Sequence, residues 1–240
     1  MKGGPGENFC SQKFSPGITQ KVKLMSEIEV SRPILEANER IAQNNRKLFR
    51  EAGVKVMNII SSPGAGKTTL LEQTLSRVAD DLAVGVVEGD IQSTEDAQRV
   101  AACGVKAVQI ETKGACHLDG QMIEQVLAAF DLNELDLLIV ENVGNLVCPV
   151  EFDLGEDLKL AVLSVTEGDD KPSKYPQLFQ EAGVLIVNKI DLLPYIDCDL
   201  ERIHETCRRL NPKQKIFDLS CRTGEGLEAW LDWLKAWTKS

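Results

Sequence analysis

Seven short apolar runs alternate with helical stretches along most of this chain, and few architectures accept that alternation. The runs are Val54–Ser61, Ala83–Glu88, Ala107–Ile110, Leu135–Glu141, Leu160–Val165, Val184–Asn188 and Lys215–Leu219. Between them the pattern predicts helices near 67–79, 94–103, 119–130, 173–182, 199–210 and 225–237. Strands that each return through a helix pair in parallel, because a parallel neighbour needs a long crossover. The expected fold is α/β, a doubly wound and mostly parallel sheet. A further helix precedes it. From Ser31 to Ala52, with Pro33 near the start, the residues Ile34, Leu35, Asn38, Ile41, Ala42, Asn45, Leu48 and Phe49 recur at helical spacing.

Residues 1–30 read as a flexible tail, since the opening MKGGPGENFCSQKFSPG is rich in Gly, Pro and polar residues. Residues 31–240 then form one domain, the N-terminal helix included, with no internal repeat. A chain of 240 residues with 43% hydrophobic content is enough to core such a domain. A net charge of −10 argues against unspecific nucleic-acid binding and against anchoring to anionic lipid. No apolar stretch approaches the ~20 residues of a membrane span, and no signal-peptide core is visible. A cytoplasmic protein is the expectation. The seven cysteines are odd in number and irregularly spaced, a poor disulfide framework. Cys103, Cys198, Cys207 and Cys221 read as ordinary thiols, and Cys10 as incidental to the tail.

The first apolar run ends in Ser61-Ser62-Pro63-Gly64-Ala65-Gly66-Lys67-Thr68-Thr69, where a helix begins. Gly64 and Gly66 let the backbone curl so that its N–H groups, with that of Ala65, point at phosphate oxygens. Lys67 supplies a cation to the outer phosphates, and Thr68 offers a hydroxyl to Mg²⁺, with Thr69 following in the same turn. The helix dipole favours negative charge at the same place. The usual pattern opens with glycine; Ser61 stands there, so the turn is expected to be built on a residue that adopts positive φ at a cost.

Asn188-Lys189-Ile190-Asp191 follows the run Val184-Leu185-Ile186-Val187. A carboxylate at Asp191 accepts from guanine N1–H and its amino group; adenine leaves it partly unpaired, at ~1–3 kcal/mol per buried mismatch. Lys189 can lie over the base, and Asn188 can tie this loop to the phosphate loop. Ser220-Cys221-Arg222 falls where a backbone contact to the base oxygen is expected, although it departs from the usual Ser-Ala-Lys. GTP is therefore the expected nucleotide.

Two acids flank a glycine at Glu88-Gly89-Asp90, and Asp90 is the better candidate for holding Mg²⁺ or its waters. Glu141-Asn142-Val143-Gly144 takes the place of an Asp-x-x-Gly sensor, with the Gly144 N–H offered to the γ-phosphate. Lys67, Asp90, Glu141 and Gly144 form the expected catalytic set. No glutamine is evidently placed to orient water, so slow turnover is expected.

Gly114-Ala115-Cys116-His117-Leu118-Asp119 carries a thiolate and an imidazole side by side, ligands suited to Zn²⁺ or Ni²⁺. Cys148, in Leu146-Val147-Cys148-Pro149, supplies a third donor if the strand ends before the two loops are neighbours. Three ligands leave a site open or completed by a second subunit, which suits transfer better than structure. His204 sits in a polar helix and reads as part of a solvated face.

With SSPGAGKTT, VVEGDIQ, GACHLD, ENVGNLVCP, SVTEGDDKPSKYP and NKID in place, residues 29–240 resemble the HypB family, the nickel-incorporation GTPases of nickel–iron hydrogenase maturation. Related nickel and cobalamin chaperone GTPases share the phosphate loop and a Lys-x-Asp base motif, but not the pairing of GACHLD with ENVGNLVCP. The resemblance implies a SIMIBI-type G domain that hydrolyses GTP to GDP and phosphate. It further implies a nickel or zinc ion on Cys116, His117 and Cys148, and a nucleotide-promoted homodimer. Implied partners are a small nickel/zinc accessory protein of the HypA type and the hydrogenase large subunit. The loop Asp169-Asp170-Lys171 matches too, with Lys171 implied to reach nucleotide across the dimer. The tail departs from the family: it has Cys10 and no histidine, whereas some members carry a Cys-x-x-Cys-Gly-Cys site or a histidine-rich store. A metal-free chaperone GTPase for a cobalamin-type enzyme is the alternative.

Overall fold

A computed structural model describes residues 32–89 and 99–240. The expected tail 1–30 with Cys10, the candidate Asp90 and the first part of the 94–103 helix lie outside the described residues. The strands are β1 (Lys55–Ser61), β2 (Val84–Glu88), β3 (Lys106–Gln109), β4 (Leu137–Glu141), β5 (Leu158–Ser164), β6 (Val184–Asn188) and β7 (Lys215–Asp218). They form one sheet in the order β3-β2-β4-β1-β5-β6-β7, with every neighbour parallel. The doubly wound expectation holds. All seven strands fall on the expected runs, with ends shifted by up to two residues.

The helices are α1 (Arg32–Ala52), α2 (Lys67–Val78), α3 (Gly120–Leu127), α4 (Cys148–Glu151), α5 (Lys171–Lys174), α6 (Pro176–Glu181), α7 (Leu200–Leu210) and α8 (Leu227–Thr238). Alternate residues of the strands face opposite layers. Met57, Ile59, Ile139, Val162 and Ile186 pack with Leu71 and Leu75 of α2 and with Trp230 and Leu234 of α8. On the other face, Val56, Leu138 and Val140 meet Phe49 of α1 and Ile123 of α3. Ile60, Leu163 and Val187 continue that face under Phe179 of α6 and Ile203 of α7. None of the described helices is long and apolar enough to cross a membrane.

Three local expectations are corrected. The single helix over 173–182 is two, α5 and α6, because Pro176 lacks an N–H and pushes Tyr175 out of the helical region to φ −125° and ψ 55°. Ile34 and Leu48 of α1 are exposed, and the buried stripe is Asn38, Ala42, Asn45 and Phe49. His204 is not on a solvated face: its side chain is 13% exposed and its Nε2 lies 2.9 Å from Asp218 Oδ1 on β7.

Candidate functional site

The phosphate loop joins β1 to α2. Its left-handed positions are Gly64 (φ 76°) and Gly66 (φ 99°), while Ser61 stays in the strand with no positive φ. The strain expected of Ser61 is therefore absent, because the turn begins after it. Glycine is also required sterically at 66, where a Cβ would lie 2.5 Å from Asn188 Nδ2. Buried Lys67 donates from Nζ to Ser61 Oγ at 3.1 Å. The first turn of α2 presents Thr68 and Thr69, and the Thr68 hydroxyl donates to Glu141 Oε1 at 2.9 Å. Glu141 is buried at the end of β4, level with Ile59 of β1.

The loop after β6 closes over the same place. Asn188 is buried, donates to the Ala65 carbonyl at 3.0 Å and accepts from the Cys221 N–H at 3.2 Å. One amide thus clasps the phosphate loop to the 220–223 turn. Lys189, at φ 65°, donates from Nζ to the Gly64 carbonyl at 2.7 Å. Asp191 is half-buried and accepts from the Ser220 hydroxyl at 2.6 Å, which holds the carboxylate in one orientation. Burial pushes the Cys221 thiol up to about 11, so it stays protonated and inert.

From Glu141 the chain turns directly toward the phosphate loop. A Cβ on Gly144 would lie 3.0–3.1 Å from Cγ, Cα and N of Pro63, so a side chain there would push the phosphate loop back by a few tenths of an ångström. Four residues later Cys148 opens α4. Its thiol shares a hydrogen bond with that of Cys116, and this contact followed by burial raises its pKa. Cys116 Sγ is 3.5 Å from His117 Nδ1. Burial lowers the His117 pKa against the opposing charges of Asp119 and Glu151, and the ring stacks on Phe152 at 3.8 Å between centroids. The ligand atoms of Cys116, His117 and Cys148 all lie within 4.8 Å of one another, the one such group found among the described residues. A thiol pair and a neutral imidazole suit a borderline-soft divalent ion.

Cys148 does not meet Cys116 because their strands are neighbours. β3 and β4 are separated by β2, so the expected route fails. The loop after β3 instead crosses over the end of β2, where Gly89 leaves room. A Cβ there would lie 2.6 Å from Leu118 Cδ1 and 3.0 Å from the Glu141 carbonyl. The crossing is then pinned on the far side. Leu118 N–H donates to Asn142 Oδ1 at 3.0 Å, and Asn145 Nδ2 to the Cys116 carbonyl at 3.3 Å. Helix α1 holds the loop's exit: Asn38 Oδ1 accepts from Gly120 N–H at 2.8 Å, and Asn45 Nδ2 donates to the Gly120 carbonyl at 2.8 Å. The same two amides donate to the carbonyls of Asp153 and Leu154, just past α4. These asparagines, and Asn58 within β1, brace the loops of the candidate site, and the motif reading passes over them. Their signal was an amide inside an apolar strand or on an apolar helix stripe.

Fold and loops together define a P-loop nucleotide-binding protein with a thiol–imidazole cluster shared between the loops that follow β3 and β4. Residues 55–218 match the CobW/HypB/UreG nucleotide-binding domain. Hydrogenase maturation factor HypB of Escherichia coli (strain K12) is 47% identical over 221 residues, 92% of this chain and 75% of that protein. The crystal structure of HypB from Archaeoglobus fulgidus superposes with a TM-score of 0.80 at 40% identity, covering 85% of this chain and 99% of the other. HypB from Helicobacter pylori, solved in complex with nickel, gives 0.79 at 38% identity over 85% and 95%. The chain belongs to the HypB family of hydrogenase maturation factors.

Proposed function

We propose that this protein is a GTP-hydrolysing metallochaperone that delivers nickel to the large subunit of nickel–iron hydrogenase, with metal affinity set by the nucleotide. The carrying observation is one short segment with two ends. Glu141 accepts from Thr68 at the phosphate loop, and Cys148 shares a hydrogen bond with Cys116 in the metal trio. Guanine is the base that suits Asp191, whose carboxylate is oriented by Ser220. Gly64 to Thr69 hold the phosphates, with Lys67 on the outer pair, and Gly144 senses the γ-phosphate. Mg²⁺, held by Thr68 with Asp90, would neutralise charge on the β- and γ-oxygens. Turnover is slow unless another group orients the attacking water.

Nickel is the cargo on Cys116, His117 and Cys148; zinc binds the same donors. Three ligands leave coordination open for transfer, consistent with a nucleotide-promoted homodimer that receives metal with a HypA-type accessory protein. The reading places the protein in the cytoplasm, and it is supported by the relatives' shared role in hydrogenase maturation. GTP and GDP favour different positions of segment 141–149, and each can therefore shift nickel affinity by at most the difference in its own affinity for those positions. The test is nickel affinity of the GTP-analogue and GDP forms, expected to differ by on the order of tenfold. Equal affinities sink the coupling. Metal content unchanged in Cys116→Ala with Cys148→Ala would favour a metal-free chaperone.

A further inference from the structure

Besides the thiol contact of Cys148 with Cys116, two amide hydrogen bonds join the nucleotide segment to the Cys116–His117 loop, through Asn145 and Asn142, and burial separates them. Asn145 is half-buried, and water can replace its bond to the Cys116 carbonyl. Asn142 is fully buried and committed on every side. Its Oδ1 accepts from Leu118 N–H at 3.0 Å and Val143 N–H at 2.9 Å; its Nδ2 donates to Asn58 Oδ1 at 3.1 Å. Its own N–H donates to the Ile59 carbonyl of β1 at 3.0 Å. Asn58, also fully buried, donates to Glu156 Oε1 at 3.2 Å, and Glu156 Oε2 accepts from Leu154 N–H at 2.7 Å. Leu154 returns its carbonyl to Asn45, which also holds Gly120.

The chain of amides therefore runs from Leu118 through β1 and α1 and comes back at Gly120. It closes a ring around the exit of the Cys116–His117 loop.

We propose that Asn142 is the positioning residue through which the nucleotide state sets the geometry of the metal trio. This rests on the coupled metallochaperone reading above and names where the coupling runs. Asn142 follows Glu141, the acceptor of the Thr68 hydroxyl, and its amide holds the peptide next to His117. A buried donor has no water to turn to when its acceptor leaves, so the Leu118 N–H has to follow Asn142 or stay unsatisfied. The bond to Asn58 gives that movement a fixed anchor in the central strand, which a loop-to-loop contact lacks. A shift of the β4 end thus becomes a shift of His117 and Cys116 relative to Cys148.

The experiment titrates the full chain with Ni²⁺, reading thiolate-to-nickel absorption, in GDP and in a non-hydrolysable GTP analogue. Wild type gives two affinities differing by on the order of tenfold. Asn142→Ala brings that ratio to about one, while Asn142→Asp, which keeps the acceptor for Leu118 and Val143, retains most of it. A purely structural role would weaken nickel equally in both nucleotide states and leave the ratio at the wild-type value, which overturns the proposal while leaving the coupled reading standing. A ratio of one in wild type overturns both. Should Asn142→Ala not fold, hydrogen exchange of the wild-type Leu118 and Val143 amides decides: protection that differs between GDP and analogue supports the relay, and equal protection overturns it.

Discussion

Glu156 carries an unusual load for a single carboxyl. It is 8% exposed, and burial followed by the charge of Asp153 raises its pKa to about 7. Lys159 opposes that shift. Asp153 beside it is also pushed up by burial, but the hydrogen bonds from Arg46 and the Gly155 N–H hold it below the usual carboxylate range. The sign for Glu156 follows from linkage. Its folded pKa lies above the ordinary 4.5, so the native state holds the extra proton between about 4.5 and 7. Stability is therefore expected to fall as pH rises through that window and to level off above it, while Asp153 acts only at lower pH. Glu156→Gln removes the ionisable group and should flatten the decline, which urea unfolding midpoints at pH 5, 6, 7 and 8 would measure. Parallel slopes for wild type and variant would assign the decline to other groups. Nothing in the sequence marked this residue, because Glu156 lies among the acids Asp153 and Asp157 and reads as one more surface charge.

At the scale of elements, helix α1 is more than a cover for the sheet. Its buried stripe alternates function with packing: Ala42 and Phe49 fill the core, whereas Asn38 and Asn45 each bond to the backbone on both sides of the metal loops. Gly155, at φ 94°, allows the 153–156 turn to press on this helix, since a Cβ there would lie 2.7 Å from the Ala42 carbonyl. Asn38→Ala leaves the buried Gly120 N–H unpaired, at about 1–3 kcal/mol, and Asn45→Ala removes a donor shared by the Gly120 and Leu154 carbonyls. The double variant should lose less than the sum, because both hold the same residue, Gly120. Chemical denaturation of Asn38→Ala, Asn45→Ala and the pair measures this. Full additivity would mean that the two bonds are independent.

The helix itself was legible in its spacing, and so was the side on which Asn38 and Asn45 lie. Their partners were not, because periodicity reports which face is buried and says nothing of what it is buried against. Pro176 shows the opposite case. The break between α5 and α6 is written locally, and a reading that weighed the residue before proline would have found it.

For the whole molecule, a parallel sheet gathers the loops after its strands at one end, which is where the phosphate loop, the 188–191 loop and the Cys116–His117–Cys148 trio all stand. Metal bound to the trio, as proposed, would stabilise the folded chain by mass action. At nickel a hundredfold above its dissociation constant the gain is ~2.7 kcal/mol, or a rise in melting temperature on the order of 5–10 °C for a chain of this size. Cys116→Ala should abolish the rise, which calorimetry with and without Ni²⁺ would register. An equal rise in the variant would place the binding elsewhere.

The alternation of apolar runs and helical stretches was sufficient for the α/β class, and Gly64 to Thr68 with Asn188 to Asp191 for two loops that the structure closes on each other. Those motifs are local: each needs only a strand end, a turn and a few side chains contiguous in the chain. The metal trio is different in kind. Cys116 and Cys148 belong to strands that are not neighbours, and their meeting depends on a loop crossing β2 at Gly89 and being held by Asn38, Asn45 and Asn142. Strand order and loop crossing arise from packing between segments distant in sequence. Hydrophobic spacing carries no record of them, so only the tertiary structure decided that these loops meet.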